Sequence, residues 1–259
     1  MAAQTGPLPL PDVRRIAPGD LADALRAGLA DFAAAPLYGL FFGTVFSVTG
    51  IVIAYLLMVT GSSYWVLPLA AGFPLIGPFA AVGLYEVSRR RETGEPLNWP
   101  DVLGAVVREG RLQLPSYAFV VLFVFLIWVY LAHLIFALSF GLKPLTNVMS
   151  STDLLLTSEG IAMLIAGTLV GGAVAALLFA ISVAAVPMLL ERDIDIASAM
   201  FVSVRAVLHN RAIMILWGGI IALACTIAMV PLFLGMVVVF PVLGHASWHV
   251  YRRIVEPGR

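Results

Sequence analysis

The side chains best suited to chemistry in this sequence are two histidines near the C-terminus, His245 and His249. Residues four apart lie on one face of a helix, where two imidazoles can share a metal ion or face a haem group. Trp248 and Tyr251 beside them favour another interpretation, a belt of polar aromatic rings at the membrane–water interface. Since no third ligand is evident nearby, we expect the belt and predict no metal or haem cofactor.

Two segments with the pattern Phe-Pro-x-x-Gly interrupt long apolar runs. They are formed by Phe73, Pro74 and Gly77, and by Phe240, Pro241 and Gly244. A proline inside a helix removes a donor and frees the carbonyl four residues earlier, and the glycine lets another backbone approach. Such breaks at matching positions of repeats are typical of transporter binding sites, but kinks also serve packing alone. We favour packing, because no charged residue lies in the middle of a predicted span.

Small residues mark a third candidate feature. Gly167, Gly171 and Gly172 give one predicted span a face that a neighbouring helix can approach, either within the chain or in a second copy. Glu86 stands one helical turn before Arg90 at the end of a predicted span, where a salt bridge between them or solvation is sufficient to explain it. We find no motif for a Ser/His/Asp set, a phosphate loop or paired acids, so we expect no catalytic residues and no enzyme.

Composition excludes an ordinary soluble domain. Of 259 residues, 61% are hydrophobic and only 12% are charged, and the mean hydropathy is +1.00. Lys+Arg and Asp+Glu both number 15, so the total predicts no basic surface for nucleic acid. The single cysteine, Cys225, excludes an internal disulfide. The chain is therefore expected in a lipid bilayer.

Apolar runs long enough to cross a bilayer predict the spans. They cover residues 37–60, 65–87, 116–140, 160–190 and 212–250. The last run is too long for one crossing and must fold back, with a turn predicted between Thr226 and Pro231. In the resulting six-span arrangement every basic residue except Lys143 falls on one side, which predicts that both termini are cytoplasmic.

Weak internal similarity predicts three degenerate repeats. Residues 20–25 match residues 195–200, and each segment starts an apolar stripe at helical spacing with Asp20 or Asp195 at the N-cap. We predict an all-α membrane protein in which an amphipathic surface helix precedes a helical hairpin in each repeat. The predicted boundaries are a disordered cytoplasmic tail at 1–19, one membrane domain at 20–253 with units 20–91, 100–193 and 195–253, and a C-terminal tail at 254–259.

Three segments of the sequence also carry a resemblance. Residues 73–86, 190–200 and 240–253, the last running Phe-Pro-Val-Leu-Gly-His-Ala-Ser-Trp-His-Val-Tyr-Arg-Arg, resemble a bacterial integral-membrane family, domain of unknown function 2189. The resemblance implies a bacterial inner-membrane protein. It implies no catalytic or binding role for any residue.

The function expected from these observations is non-enzymatic. An accessory or interaction protein of the inner membrane fits best, with the lipid bilayer and a membrane-protein partner or second copy as contacts. The alternatives are a small transporter or channel with a pathway beside Pro74 and Pro241, and a haem- or metal-binding protein that uses His245 and His249. A wide water-filled cavity would favour transport, and a sealed bundle with open small-residue faces would favour interaction.

Overall fold

The computed structural model describes residues 10–60, 77–112, 114–141 and 156–256. Within these ranges the chain is helical, and the one β-contact is an isolated bridge between Val13 and Val255. The helices are α1 (Pro18–Ala34), α2 (Pro36–Val59), α3 (Gly77–Ala80), α4 (Val82–Thr93), α5 (Trp99–Leu112), α6 (Leu114–Phe140), α7 (Ser158–Ser182), α8 (Ala185–Glu191), α9 (Ile196–His209), α10 (Arg211–Met229) and α11 (Met236–Ile254).

Among the residues that the structure describes, four helical stretches are long and apolar enough to cross a membrane. They are Pro36–Val59, Pro115–Phe140, Ser158–Glu191 and Arg211–Met229. The all-α membrane prediction is confirmed at this level. The predicted second span falls mostly outside the described residues. The predicted sixth corresponds to α11, whose second half carries two histidines and two arginines and is less apolar than the four.

The long apolar run near the C-terminus folds back as predicted, but later than predicted. Helix α10 continues to Met229, and the chain reverses between Val230 and Gly235. Leu232 and Phe233 adopt positive φ angles of 51° and 64° in this turn. Ser47 of α2 donates a hydrogen bond to the Phe233 carbonyl at 2.7 Å, which ties the turn to the bundle.

Helix α11 is the centre of the fold. It packs against α1, α2, α4 and α10, and most of its residues are buried. Glycines on the neighbouring helices allow very close contact. A Cβ atom on Gly28 of α1 would lie 2.5 Å from the Ala246 backbone nitrogen, and one on Gly43 of α2 would lie 2.3 Å from the Val237 carbonyl oxygen. Backbone approach of this kind is the usual way that membrane helices associate tightly.

Helices form near Asp20 and Asp195, where the sequence predicts them, with one correction to their starts. Asp195 caps α9 by accepting a hydrogen bond from the Ser198 backbone nitrogen at 3.0 Å. Helix α1 begins earlier, at Pro18, because proline suits the first turn of a helix. Asp20 therefore lies inside that turn, where its carboxylate accepts from the Ala17 backbone nitrogen at 2.7 Å.

Part of the predicted N-terminal tail is fixed to the end of α11. The Arg14 backbone nitrogen donates to the Ile254 carbonyl at 2.8 Å, and the Glu256 nitrogen donates to the Asp12 carbonyl at 3.1 Å. Asn210 accepts from the Ile16 nitrogen at 2.9 Å. The prediction of disorder through residue 19 is therefore wrong for residues 12–16, because their backbone groups find protein partners. Residues 1–9 lie outside the described part of the chain.

A buried polar cluster at the end of the bundle

The two histidines face the protein interior, so the predicted aromatic belt is wrong. His245 and Trp248 have no exposed surface, and Tyr251 is 1% exposed. The reason is that α1 and α4 cover this face of α11 and supply polar partners for it. The sequence of α11 alone contains no sign of those partners.

Five side chains from three helices form the polar cluster: Asp31 of α1, Ser88 and Arg91 of α4, and His245 and His249 of α11. One carboxylate oxygen of Asp31 lies 2.7 Å from the Ser88 hydroxyl and 2.8 Å from His249 Nε2. The other lies 2.7 Å from Arg91 Nε. Ser88 Oγ is also 2.8 Å from His245 Nδ1. Asp31 thus links all three helices.

The charge on Asp31 fixes where the protons are. Burial raises the pKa of a carboxyl group, but hydrogen bonds from His249, Arg91 and Ser88 outweigh burial and lower the pKa of Asp31 from 3.8 to about 2. At neutral pH Asp31 is an anion and can only accept hydrogen bonds. His249 therefore carries its proton on Nε2, and the single Ser88 proton points to Asp31. It follows that His245 donates from Nδ1 to Ser88 Oγ.

This order of hydrogen bonds differs from that of a nucleophilic triad. The structure does bring a Ser, a His and an Asp together, which the sequence did not indicate. However, Ser88 gives its proton to Asp31 and accepts one from His245, so no base activates the hydroxyl. His245 Nε2 is buried and has no hydrogen-bond partner among the described residues. The cluster is a structural junction in this geometry.

The cluster is also poorly arranged for a metal. Within the described ranges, no three His, Cys, Asp or Glu side chains are placed to hold a metal ion. One ring nitrogen of each histidine is within hydrogen-bond distance of a protein group, His245 Nδ1 of Ser88 and His249 Nε2 of Asp31.

A layer of ion pairs surrounds the cluster. Glu86 is only 2% exposed and binds Arg89 at 2.8 Å and Arg90 at 2.6 Å, which confirms the predicted pairing with Arg90. Arg89 also binds Glu95 at 2.9 Å, and Arg90 binds Asp101 of α5 at 2.7 Å. With Arg91 on Asp31, all three consecutive arginines contact carboxylates of the protein.

The last turns of α11 are held in a similar way. Glu92 of α4 accepts from Trp248 Nε1 at 3.0 Å and from Arg252 at 3.0 Å. Glu191, at the end of α8, accepts hydrogen bonds from Tyr251 and Arg252. The two carboxylates therefore join α4, α8 and α11 at one end of the bundle.

The proline segment of α11 lies in a helix–helix contact. Phe240 stacks on Phe46 of α2 with ring centroids 4.2 Å apart, and the Val237 carbonyl lies against Gly43. A Cβ on Gly244 would lie 2.7 Å from Leu84. In the other Phe-Pro-x-x-Gly segment, Phe73 and Pro74 lie outside the described residues. Gly77 begins α3, and a Cβ there would lie 3.8 Å from Phe240.

The three glycines of α7 have different surroundings. A Cβ on Gly171 would lie 2.8 Å from the Trp128 ring of α6, so this glycine faces the α6–α7 contact. A Cβ on Gly167 or Gly172 would meet nothing within 4 Å. Exposed Thr168, Gly172 and Ala176 are spaced four residues apart and form an open strip of small side chains on α7.

Sequence reasoning missed Asp31, Ser88 and Arg91 as members of the site. One signal was available for Asp31. Residues 21, 24, 28 and 31 follow helical spacing along the buried face of α1, and the stripe ends on a carboxylate. A charge on an apolar face needs a partner, and Arg91 supplies one. Nothing in the sequence indicated which residues the histidines would meet.

The assigned protons predict a crossed pattern of substitutions. An Asn side chain places its amide near the Nδ1 position of histidine, and Gln places its amide near Nε2. We expect His245→Asn and His249→Gln to keep their hydrogen bonds, whereas His245→Gln and His249→Asn lose them at about 1 kcal/mol or more each. The measurement is the thermal unfolding midpoint of purified protein in mild detergent. Equal unfolding midpoints for the Asn and Gln variants of the same histidine would contradict the proton assignment.

Comparison with known proteins supports the membrane assignment. The family model described as Predicted integral membrane protein (DUF2189) matches residues 66–191 and confirms the resemblance seen in the sequence. The matched segment contains α3 to α8, including Ser88 and Arg91 of the polar cluster. No curated protein and no solved structure matches the chain.

Proposed function

We propose that this integral membrane protein is a non-enzymatic interaction protein of the bacterial inner membrane, which binds a transmembrane helix of another chain through α7. The observation that carries the proposal is the open strip of Thr168, Gly172 and Ala176. Small residues on a membrane helix allow a neighbouring helix to approach closely. Inside the chain, the Trp128 ring of α6 already packs against Gly171. On the open side of α7 the same composition suits a helix from outside.

The contacts around Pro241 favour interaction over transport. The proline frees the Val237 carbonyl, and that carbonyl lies against Gly43. A carbonyl that contributes to a substrate pathway would need to face the pathway. Together with the stacked pair Phe46 and Phe240, this contact supports a packing role for the break. A pathway beside Pro74 would involve residues outside the described ranges.

The arrangement of the helices supports the three-repeat interpretation. A shorter helix leads into a long apolar one in α1–α2, α5–α6 and α9–α10. The returning segment is interrupted each time, between α3 and α4, between α7 and α8, and at Pro241 in α11. We propose that these are three copies of one unit, with six spans and both termini cytoplasmic.

The orientation has a direct test by cysteine labelling in the Cys225→Ala background. A cysteine in Thr93→Cys, just before the turn that follows α4, should be shielded from a membrane-impermeant thiol reagent in intact cells. A cysteine in Asn147→Cys should be labelled. Labelling at position 93 in intact cells would overturn the cytoplasmic assignment of the polar end.

The interaction is tested by a photo-crosslinking residue at Ala173, beside Gly172 on the exposed surface of α7. In native membranes we expect a crosslinked product of defined mass that contains a membrane protein, either a partner or a second copy. The control is the same residue at Leu223, which is 64% exposed on α10. Gly172→Leu should abolish the product at position 173 while the unfolding midpoint stays unchanged, because its side chain enters open space.

Crosslinks to lipid alone at position 173, or the same protein products from both positions, would contradict the proposed interface. Loss of the product together with a lower unfolding midpoint would assign Gly172 to internal packing instead, which also contradicts the proposal.

A further inference from the structure

The outer face of α9 carries an open groove of about 350 Å³. It is lined by Phe201, Val204, Arg205, Leu208 and His209. These positions recur every three or four residues, so they form one continuous face of the helix. Phe201 and Leu208 are each 59% exposed and make the groove apolar. Arg205 makes it basic.

The inner face of α9 holds this groove in a fixed orientation. Ser203 is fully buried, accepts a hydrogen bond from the Ala184 nitrogen at 3.1 Å and donates one to the Ala180 carbonyl at 2.7 Å. Both bonds lie at the break between α7 and α8. Asn210, next to the end of α9, donates to the Arg14 carbonyl at 2.9 Å. Rotation of α9 would break all three hydrogen bonds, so the groove is pre-formed.

The groove lies where a candidate membrane span begins. Helix α10 starts at Arg211, two residues after the end of α9, and is one of the four helices apolar enough to cross a bilayer. If α10 crosses the bilayer, as proposed above, the outer face of α9 lies at the level of the lipid headgroups. A helix with large apolar and basic side chains on its exposed face is typical of binding at that interface.

The charges of the groove remain available for a ligand. The Arg205 side chain is 50% exposed, and its nearest carboxylate is that of Asp12 at 3.8 Å. Arg211 is exposed and forms no hydrogen bond or ion pair within the described part of the chain. This contrasts with residues 89–91, whose guanidinium groups all bind carboxylates. The arginine triplet that is most conspicuous in the sequence is therefore occupied internally.

We infer that the groove on α9 is a binding site for an anionic phospholipid. Arg205 and His209, one turn apart on the same face, contact the phosphate. An acyl chain lies over Phe201 and Leu208, and Arg211 adds positive potential beside the phosphate. The inference is independent of the proposed helix interface on α7. Asp12 competes with the phosphate for Arg205 and therefore limits the affinity of the groove for the phospholipid.

The test is native mass spectrometry of the full-length protein in detergent, titrated with phosphatidylglycerol and with phosphatidylcholine of the same acyl chains. We expect the protein to form more adducts with phosphatidylglycerol than with phosphatidylcholine. Arg205→Gln should weaken that preference about fivefold, the effect of one basic residue near anionic lipid. Asp12→Asn should strengthen it, because the competing carboxylate is removed. Phe201→Ser should weaken the binding of both lipids.

The matched control is Arg26→Gln, which removes an arginine that is 79% exposed on α1 and pairs with Asp23. Equal loss in Arg26→Gln and Arg205→Gln would show general surface attraction and overturn the site. Equal binding of phosphatidylglycerol and phosphatidylcholine by the unchanged protein would also overturn the site. Displacement of phosphatidylglycerol by inorganic phosphate at equal concentration would assign the site to a free anion and contradict the lipid inference.

Discussion

Asp31 places a negative charge on the buried face of α1, where removal from water costs several kcal/mol unless the charge is paired and hydrogen-bonded. Three donors from two other helices meet that requirement, and they fix how α1, α4 and α11 can sit together. Burial of apolar surface is non-directional. The buried carboxylate of Asp31 therefore supplies the specificity that apolar side chains at this end of the bundle cannot.

Contacts along α11 divide into two kinds. Toward its start, backbone atoms approach glycines, as the Val237 carbonyl does at Gly43, and rings stack, as Phe240 does on Phe46. Toward its end, polar side chains from neighbouring helices meet in the cluster and in the ion pairs of Glu92 and Glu191. The first kind suits a low-dielectric interior, and the second suits the boundary with water. Helix α11 thus makes contacts of both kinds along its length.

Much of this fold could be predicted from sequence because its signals are local. Hydropathy predicts the long apolar helices. The apolar run at 212–250 must fold back because it is longer than one crossing of the bilayer. The pairing of Glu86 with Arg90 follows from helical spacing. The partners of His245 and His249 could not be predicted, since they lie on α1 and α4, far away in sequence. The aromatic-belt interpretation failed for the same reason, because burial of Trp248 depends on helices that its own segment does not specify.

The central claim is that the charge of Asp31 couples α1 to α4, and a double-mutant cycle tests it most directly. The variants are Asp31→Asn, Arg91→Gln and both together, with unfolding free energies measured in detergent. The exposed pair Asp23 and Arg26 provides the matched cycle. We predict a coupling of about 1–3 kcal/mol for Arg91 with the buried carboxylate of Asp31, and at most about 1 kcal/mol for the exposed pair. A coupling between Asp31 and Arg91 no larger than that of the exposed pair would contradict the account.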